Sequence, residues 1–347
     1  MSDKPLSKEE RLALAKKKAR ELSNKFGEGR IVTGDKLEIA ERLSFGVPEL
    51  DEKTGGGIPY GAFTTAWGAP GSGKTTLGYL LTAEAQRQGK IVLWIALEKF
   101  DPERAKFFGV NLDELIIAEF PKAEESLDTI IRYAKEKLVD VIILDSIHSL
   151  SPTGEQEDKK GEKSVGDDTM ALLARKLSQF FRMACDPIKQ AKIAGFLIGQ
   201  TRTSIGIVAI QQLTGGNALH HNSRLIIHTT RGQKADAPVK KIKTGEKTKS
   251  GGDSIETVQI GFNFTANFDK VQISGCAPEG TKFSLPFYYE SGFKLPAELQ
   301  EQVDQEEKEI AEQIGNESTS DDKCEADKAK EPLGEIKKKR GRPKTKG

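Results

Sequence analysis

Between Leu6 and Phe26 the apolar residues Leu12, Leu14, Ala15, Ala19 and Leu22 recur among charges, the spacing of one helix face, and Gly27 ends the run. Arg30-Ile31-Val32 reads as a short strand. Further on, strand-like and helical patterns alternate: Ala62–Trp67 predicts a strand, Lys74–Arg87 a helix, Ile91–Leu97 a strand and Glu124–Lys137 a helix. Val141–Leu144 predicts another strand, Met170–Met183 a helix and Ile193–Ile198 a strand. Leu225–His228, Thr257–Phe264, Lys270–Ser274 and Phe283–Tyr289 predict later, more antiparallel strands, with a Lys- and Gly-rich loop over Gly232–Gly252. Apolar strands alternating with helices predict an α/β fold, a mainly parallel sheet covered by helices on both faces. After Pro296 one acidic helix is readable, then no core-forming pattern, and no internal repeat is evident.

Composition adds a boundary to this picture. The net charge of +1 conceals segregation: residues 298–331 hold 13 Asp and Glu against 4 Lys, and residues 335–347 hold 7 Lys and Arg against one Glu. Blocks of this kind stay solvated, so a disordered charged tail is expected over 298–347, acidic first and basic at its tip. Residues 34–297 then form the core, and residues 1–33 a helix and strand ahead of it. Hydrophobic content of 36% with 30% charge suits a soluble chain, and no apolar run approaches the roughly 20 residues a membrane helix needs. The Lys-rich start shows no apolar leader. Three scattered cysteines, Cys185, Cys276 and Cys324, point to a reducing, cytoplasmic setting.

Chemistry concentrates in Gly68-Ala69-Pro70-Gly71-Ser72-Gly73-Lys74-Thr75, with Thr76 next. The run follows a predicted strand and opens a predicted helix, the setting in which glycines turn backbone N–H groups inward around phosphates. Lys74 suits the β- and γ-phosphates of ATP, and the Thr75 hydroxyl suits Mg²⁺. Val141–Leu144 carries Asp145 to the carboxyl edge of the sheet, where ligands of α/β proteins bind; there it serves either the metal or a helix cap. Glu98 follows the strand Ile91–Leu97, and its chemistry alone leaves two roles open, orienting the attacking water or lying on the surface. Gln200, after Ile193–Ile198, is open between sensing the γ-phosphate and capping a turn.

From roughly Leu12 to Leu295 these elements, in this order, resemble the bacterial RecA recombinases. The similarity includes Gly55-Gly56-Gly57-Ile58-Pro59-Tyr60-Gly61, Ile95-Ala96-Leu97-Glu98-Lys99-Phe100-Asp101-Pro102, Asp145-Ser146 with Leu150-Ser151-Pro152, and Gly199-Gln200-Thr201-Arg202. The resemblance implies that Glu98 is catalytic, that Asp101 and Tyr289 contact adenine, and that Gln200 links nucleotide state to a DNA loop. Val165–Met170, leading to Arg175 and Arg182, resembles the first DNA loop of that family. Thr201–Thr214, with Arg202, leading to Gly215-Gly216-Asn217-Ala218-Leu219, resembles the second. Arginines would neutralise phosphates, the Gly216-Asn217 turn would donate N–H bonds, and Met170 would lie against bases.

Departures accompany the resemblance. His220-His221 stands where the family has a Lys-aromatic pair. The paired lysines expected near Ile273–Gly275 are absent, with Lys270 and Lys282 as substitutes. Arg104 replaces a base-stacking Tyr, and only a charged tail follows Leu295, which suggests a divergent, phage-type member. In that tail Arg340-Gly341-Arg342-Pro343, among lysines, resembles an AT-hook for the minor groove. The expected function is an ATP-dependent recombinase that forms a helical filament on single-stranded DNA, captures double-stranded DNA and works with single-strand-binding or mediator proteins. A RecA-fold regulator without strand exchange is the alternative, and a ring helicase or motor a more distant one.

Overall fold

The computed structural model describes residues 6–27, 31–36, 40–151, 157–158, 161–162, 170–203, 211–213, 216–247, 253–297 and 300. Helix α1, Lys8–Phe26, starts where Ser7 accepts a hydrogen bond from Glu10 N while Glu10 returns one to Ser7 N, and it stops at Gly27. Ile31 and Val32 form no strand. A strand requires a partner ladder, and two apolar residues do not supply one.

The core begins with β1 (Arg42–Leu43), α2 (Pro48–Thr54) and β2 (Ile58–Pro59), followed by β3 (Ala62–Gly68), α3 (Lys74–Arg87) and β4 (Val92–Ala96). Next come α4 (Pro102–Phe107), β5 (Leu115–Ala118), α5 (Ala123–Glu136), β6 (Val141–Asp145) and the short pair β7 (Glu157–Asp158) and β8 (Gly161–Glu162). Helix α6 (Met170–Gln190) leads to β9 (Ala194–Thr203), β10 (Gln211–Leu213), α7 (Gly216–Asn222) and β11 (Ser223–Arg231). The hairpin β12 (Val239–Lys247) and β13 (Asp253–Gln259) precedes β14 (Gly261–Val271) and β15 (Lys282–Tyr288).

One sheet orders its strands β15-β14-β11-β3-β9-β6-β4-β5, with β10 beside β9. From β11 to β5 the neighbours are parallel, and β14 runs antiparallel to β11. The central strands β4 and β6 are buried throughout, as strands covered on both faces must be. On one face Leu127, Ile130 and Ile131 of α5 pack with Leu177, Phe180 and Phe181 of α6. On the other, Tyr79 of α3 stacks on Trp94 of β4 with ring centroids 5.0 Å apart. Gly78 permits that approach, since a Cβ there would lie 2.8 Å from the Trp94 ring.

Three further sequence expectations need correction. Gly232–Gly252 is not simply a loop: β12 occupies nine of its residues and pairs antiparallel with β13. Lys240, Lys241 and Lys243 hide the strand, because ladder hydrogen bonds depend on the backbone and a two-stranded ribbon tolerates charge on its faces. The strands expected at Thr257–Phe264 and Lys270–Ser274 are instead the end of β13 and a single long β14. Helix α6 also outruns its expected end at Met183, continuing through Pro187 in its last turn. There the missing proline N–H deprives only the Met183 carbonyl of its partner, and Met183 is exposed to water.

The chain divides into two compact units, Met1–Pro286 and Phe287–Gly347, with the boundary inside β15. In the second unit Phe287 packs edge-on against Phe293, and Tyr288 and Gly292 form a β-bridge. Residues 301–347, including Arg340 and Arg342, lie outside the described residues. Among the described residues no helix is long and apolar enough to cross a membrane.

Candidate functional site

Strands β3, β4, β6 and β9 run parallel, so their carboxyl ends share one edge. That register brings Gly68 opposite Gln200, and Ala96 opposite Asp145. Residues far apart in sequence therefore converge.

The loop from Gly68 to Gly73 links β3 to α3. A Cβ at Gly68 would lie 2.0 Å from the Thr229 carbonyl oxygen of β11, so only glycine fits. Gly73 has φ +96° and rests on the Phe264 ring, 3.0 Å from where a Cβ would stand. Both positions need glycine, one for close approach and one for its backbone conformation. Ser72 and Thr229 share a hydroxyl–hydroxyl bond of 2.8 Å that ties the loop to β11.

The Lys74 ammonium donates to the Ala69 carbonyl at 2.8 Å and to the Ser72 hydroxyl at 3.4 Å, so it is folded back over its own loop. Burial lowers its pKa, while Asp145 and Glu98 pull the other way. Thr75 donates to Asp145 Oδ2 at 2.9 Å, and Thr76 is buried behind it. Asp145 is pushed up to about 6, first by burial and further by Glu98, against the hydrogen bond from Thr75 and the charge of Lys74. Glu98 Oε1 accepts from Ser146 Oγ at 2.5 Å, Gln200 Nε2 at 2.7 Å and Ser149 Oγ at 3.4 Å.

This arrangement fits Mg²⁺-ATP on two observations. The glycine cradle and a buried ammonium face the helix N-terminus, where phosphate is favoured. The Thr75 hydroxyl and the buried Asp145 carboxylate, 2.9 Å apart at the end of that loop, are hard oxygen donors of the kind a divalent cation takes. Thr75 and Asp145 would hold the metal, and the loop N–H groups with Lys74 the phosphates. Bound Mg²⁺-ATP would bring a phosphoryl group open to attack by water, and Glu98 is the carboxylate fixed at this edge by three donors.

The raised pKa of Asp145 also predicts a stability effect. An acid raised from 3.8 to about 6 weighs against the fold wherever it is ionised in both states, so the penalty is full above about 6 and gone below 3.8. Asp145→Asn is therefore expected to stabilise the ligand-free chain at pH 7.5 by at most about 3 kcal/mol. The gain should shrink towards pH 4, and denaturant unfolding at both values reads it. A gain equal at the two pH values would contradict this origin.

Other expected site residues separate from this edge. Asp101 caps α4, accepting from Arg104 N at 3.0 Å. Tyr289 is exposed in the second unit. Arg175 and Arg182 are exposed on α6, and their spacing of seven places them on nearly one face. Met170 opens α6, Arg202 pairs with Gln212 across β9 and β10, and Gly216 and Asn217 begin α7. Gly215 lies outside the described residues, as do 163–169 and 204–210 of the two loops. Lys270 is committed elsewhere: its ammonium donates to the carbonyls of His220 and His221 and closes the end of α7.

Arg231, at the end of β11, has no signature in its own stretch of sequence. Its guanidinium lies 4.2 Å over the Phe262 ring and reaches the phosphate loop beside Gly71. Only the parallel pairing of β11 with β3 brings it there. Ser146 was legible as the neighbour of Asp145, but its bond to Glu98 was not.

Fold and edge together define a P-loop α/β core, a glycine-rich phosphate loop feeding a helix from the middle of a parallel sheet. The RecA N-terminal domain family matches residues 13–257. Protein RecA of Marinobacter nauticus and Protein RecA of Colwellia psychrerythraea are each 37% identical to the chain over 205 residues. Each match covers 57% of this chain and 58% of the relative, so the likeness spans somewhat over half of those proteins. The chain belongs to the RecA family.

Proposed function

We propose that the chain is an ATP-dependent DNA recombinase that assembles as a helical filament on single-stranded DNA and promotes homologous pairing and strand exchange. The observation that carries this reading is the bond from Gln200 to Glu98. It ties the carboxylate suited to orient water to β9, and the segment that resembles the second DNA loop begins at the next residue, Thr201, within the end of that strand. A change at the nucleotide end of β9 is thereby coupled to the segment that resembles a DNA loop, so ATP state and DNA contact are linked through one strand.

In this reading Lys74 and Gly68–Thr76 hold ATP, Thr75 and Asp145 hold Mg²⁺, Glu98 orients water and Gln200 reports the nucleotide state. Asp101 and Tyr289 contact the base. Arg175, Arg182, Arg202 and the Gly215-Gly216-Asn217 turn neutralise or bond the DNA backbone, with Met170 against bases. Residues 1–33 serve subunit assembly, 34–297 form the core, and 298–347 are a charged tail whose Arg340 and Arg342 reach duplex DNA. The setting is cytoplasmic.

Electron microscopy of the full chain with single-stranded DNA and a nonhydrolysable ATP analogue should show continuous filaments, and a joint-molecule assay should show strand exchange. Closed rings would turn the reading to a helicase or motor. Filaments without strand exchange would turn it to a regulator.

A further inference from the structure

The segment 201–214 hangs between two stems, β9 before it and α7 after it. The first stem is tied to Glu98 through Gln200. The second is a helix of seven residues, too short to stand alone in water, so α7 sits where its contacts put it. Leu219 buries one side of it among the core side chains of α5 and α6. At its far end the Lys270 ammonium of β14 donates to the carbonyl of His220 and, at 3.1 Å, to that of His221. Lys270 is only 6% exposed, so its charge has left water for these carbonyls. A helix C-terminus, with carbonyls short of donors and a partial negative charge, receives a cation well.

The neighbour of Lys270 holds a second segment. Asp269 Oδ2 accepts from Trp67 Nε1 at 2.6 Å, and Oδ1 accepts from Asn267 Nδ2 at 2.6 Å. Trp67 is the last residue before Gly68 and the phosphate loop, and its indole lies flat on the His228 ring with centroids 4.0 Å apart. Consecutive side chains of a regular strand face opposite sides of the sheet. Here β14 carries a bulge: Ile226 pairs with Lys270 and Ile227 with Phe268, which leaves Asp269 as the extra residue. A bulge re-aims the side chains around it, and these two grip the entry to the phosphate loop and the end of α7.

We propose that Asp269 and Lys270 are positioning residues that fasten both segments to one point of β14. Lys270 sets where α7 sits, and with it the downstream stem of the DNA loop. Asp269 passes a movement of that stem to Trp67 at the mouth of the phosphate loop. The Gln200 bond runs through β9 and the upstream stem, whereas this link runs through β14 and the downstream one. It rests on the reading of residues 201–214 as a contact for single-stranded DNA.

Trp67 supplies the readout. The chain has two tryptophans, so in full-length Trp94→Phe the emission reports Trp67 alone. A dye-labelled poly(dT) oligonucleotide is titrated into this parent chain with a nonhydrolysable ATP analogue present, and dye anisotropy follows binding. Trp67 emission is expected to change as the oligonucleotide saturates. Adding Lys270→Met, which keeps an apolar stem, should weaken binding by roughly tenfold and abolish the emission change at saturation. Lys270→Arg should restore part of both. Adding Asp269→Ala instead should leave the affinity within a few fold and abolish the emission change. Asp269 is half-buried, so this second variant decides the matter even where Lys270→Met does not fold. A helix cap that only steadied the fold would lower the melting temperature and leave the emission change intact. An emission change that persists in either variant overturns the proposal, as does oligonucleotide binding to the parent with no emission change. An oligonucleotide that does not bind the parent at all refutes the DNA loop itself, and the proposal with it.

Discussion

Replacing Lys74 by alanine is expected to abolish productive nucleotide binding. The lysine is 6% exposed, and its ammonium already rests on the loop through Ala69 and Ser72. It needs only to exchange those neutral acceptors for phosphate oxygens. A charge-assisted bond of this kind contributes about 1.5–3 kcal/mol, or roughly 10- to 150-fold in affinity. Alanine also removes a cation that offsets Asp145 and Glu98, so the two carboxylates would repel an incoming triphosphate more strongly. Fluorescent-nucleotide titration measures the loss. Full ATPase activity in the variant would refute the assignment of the loop.

Glu98→Gln should separate binding from turnover. The amide keeps an oxygen for Ser146 and Ser149, so the edge should hold its shape and ATP affinity should stay within a few fold. It cannot take a proton as a carboxylate does, and hydrolysis is expected to fall by about 10²–10⁴-fold. Gln200 donates to the same Oε1 at 2.7 Å, so the variant also tests the coupling along β9. DNA association measured with ATP bound should persist, because that state forms without hydrolysis. Unchanged turnover would reduce Glu98 to a structural carboxylate anchoring two serines and Gln200.

Much of this molecule could be read along the chain because its signals are local. The phosphate loop is eight consecutive residues between a strand and a helix, and the strands of the parallel sheet are short apolar runs bounded by polar turns. Asp145 and Glu98 were legible for the same reason, each ending such a run. Where a signal lacked local contrast the reading failed. Lysines concealed β12, and the break between β13 and β14 falls within a continuous polar-apolar stretch.

The sequence by itself determined the fold class, the phosphate loop and the identity of the acids at the strand ends, since periodicity and motif spacing are properties of neighbours in the chain. Only the tertiary structure decided which groups meet. Thr75 reaches Asp145 across 70 positions, and Gln200 reaches Glu98 across 102. Arg231 comes to the phosphate loop through the β3–β11 pairing, and Arg42 is pinned to Ser274 across 232 positions. Strand order and register set these meetings, and both follow from which faces the sheet buries, a property of the packed whole that no window of sequence contains.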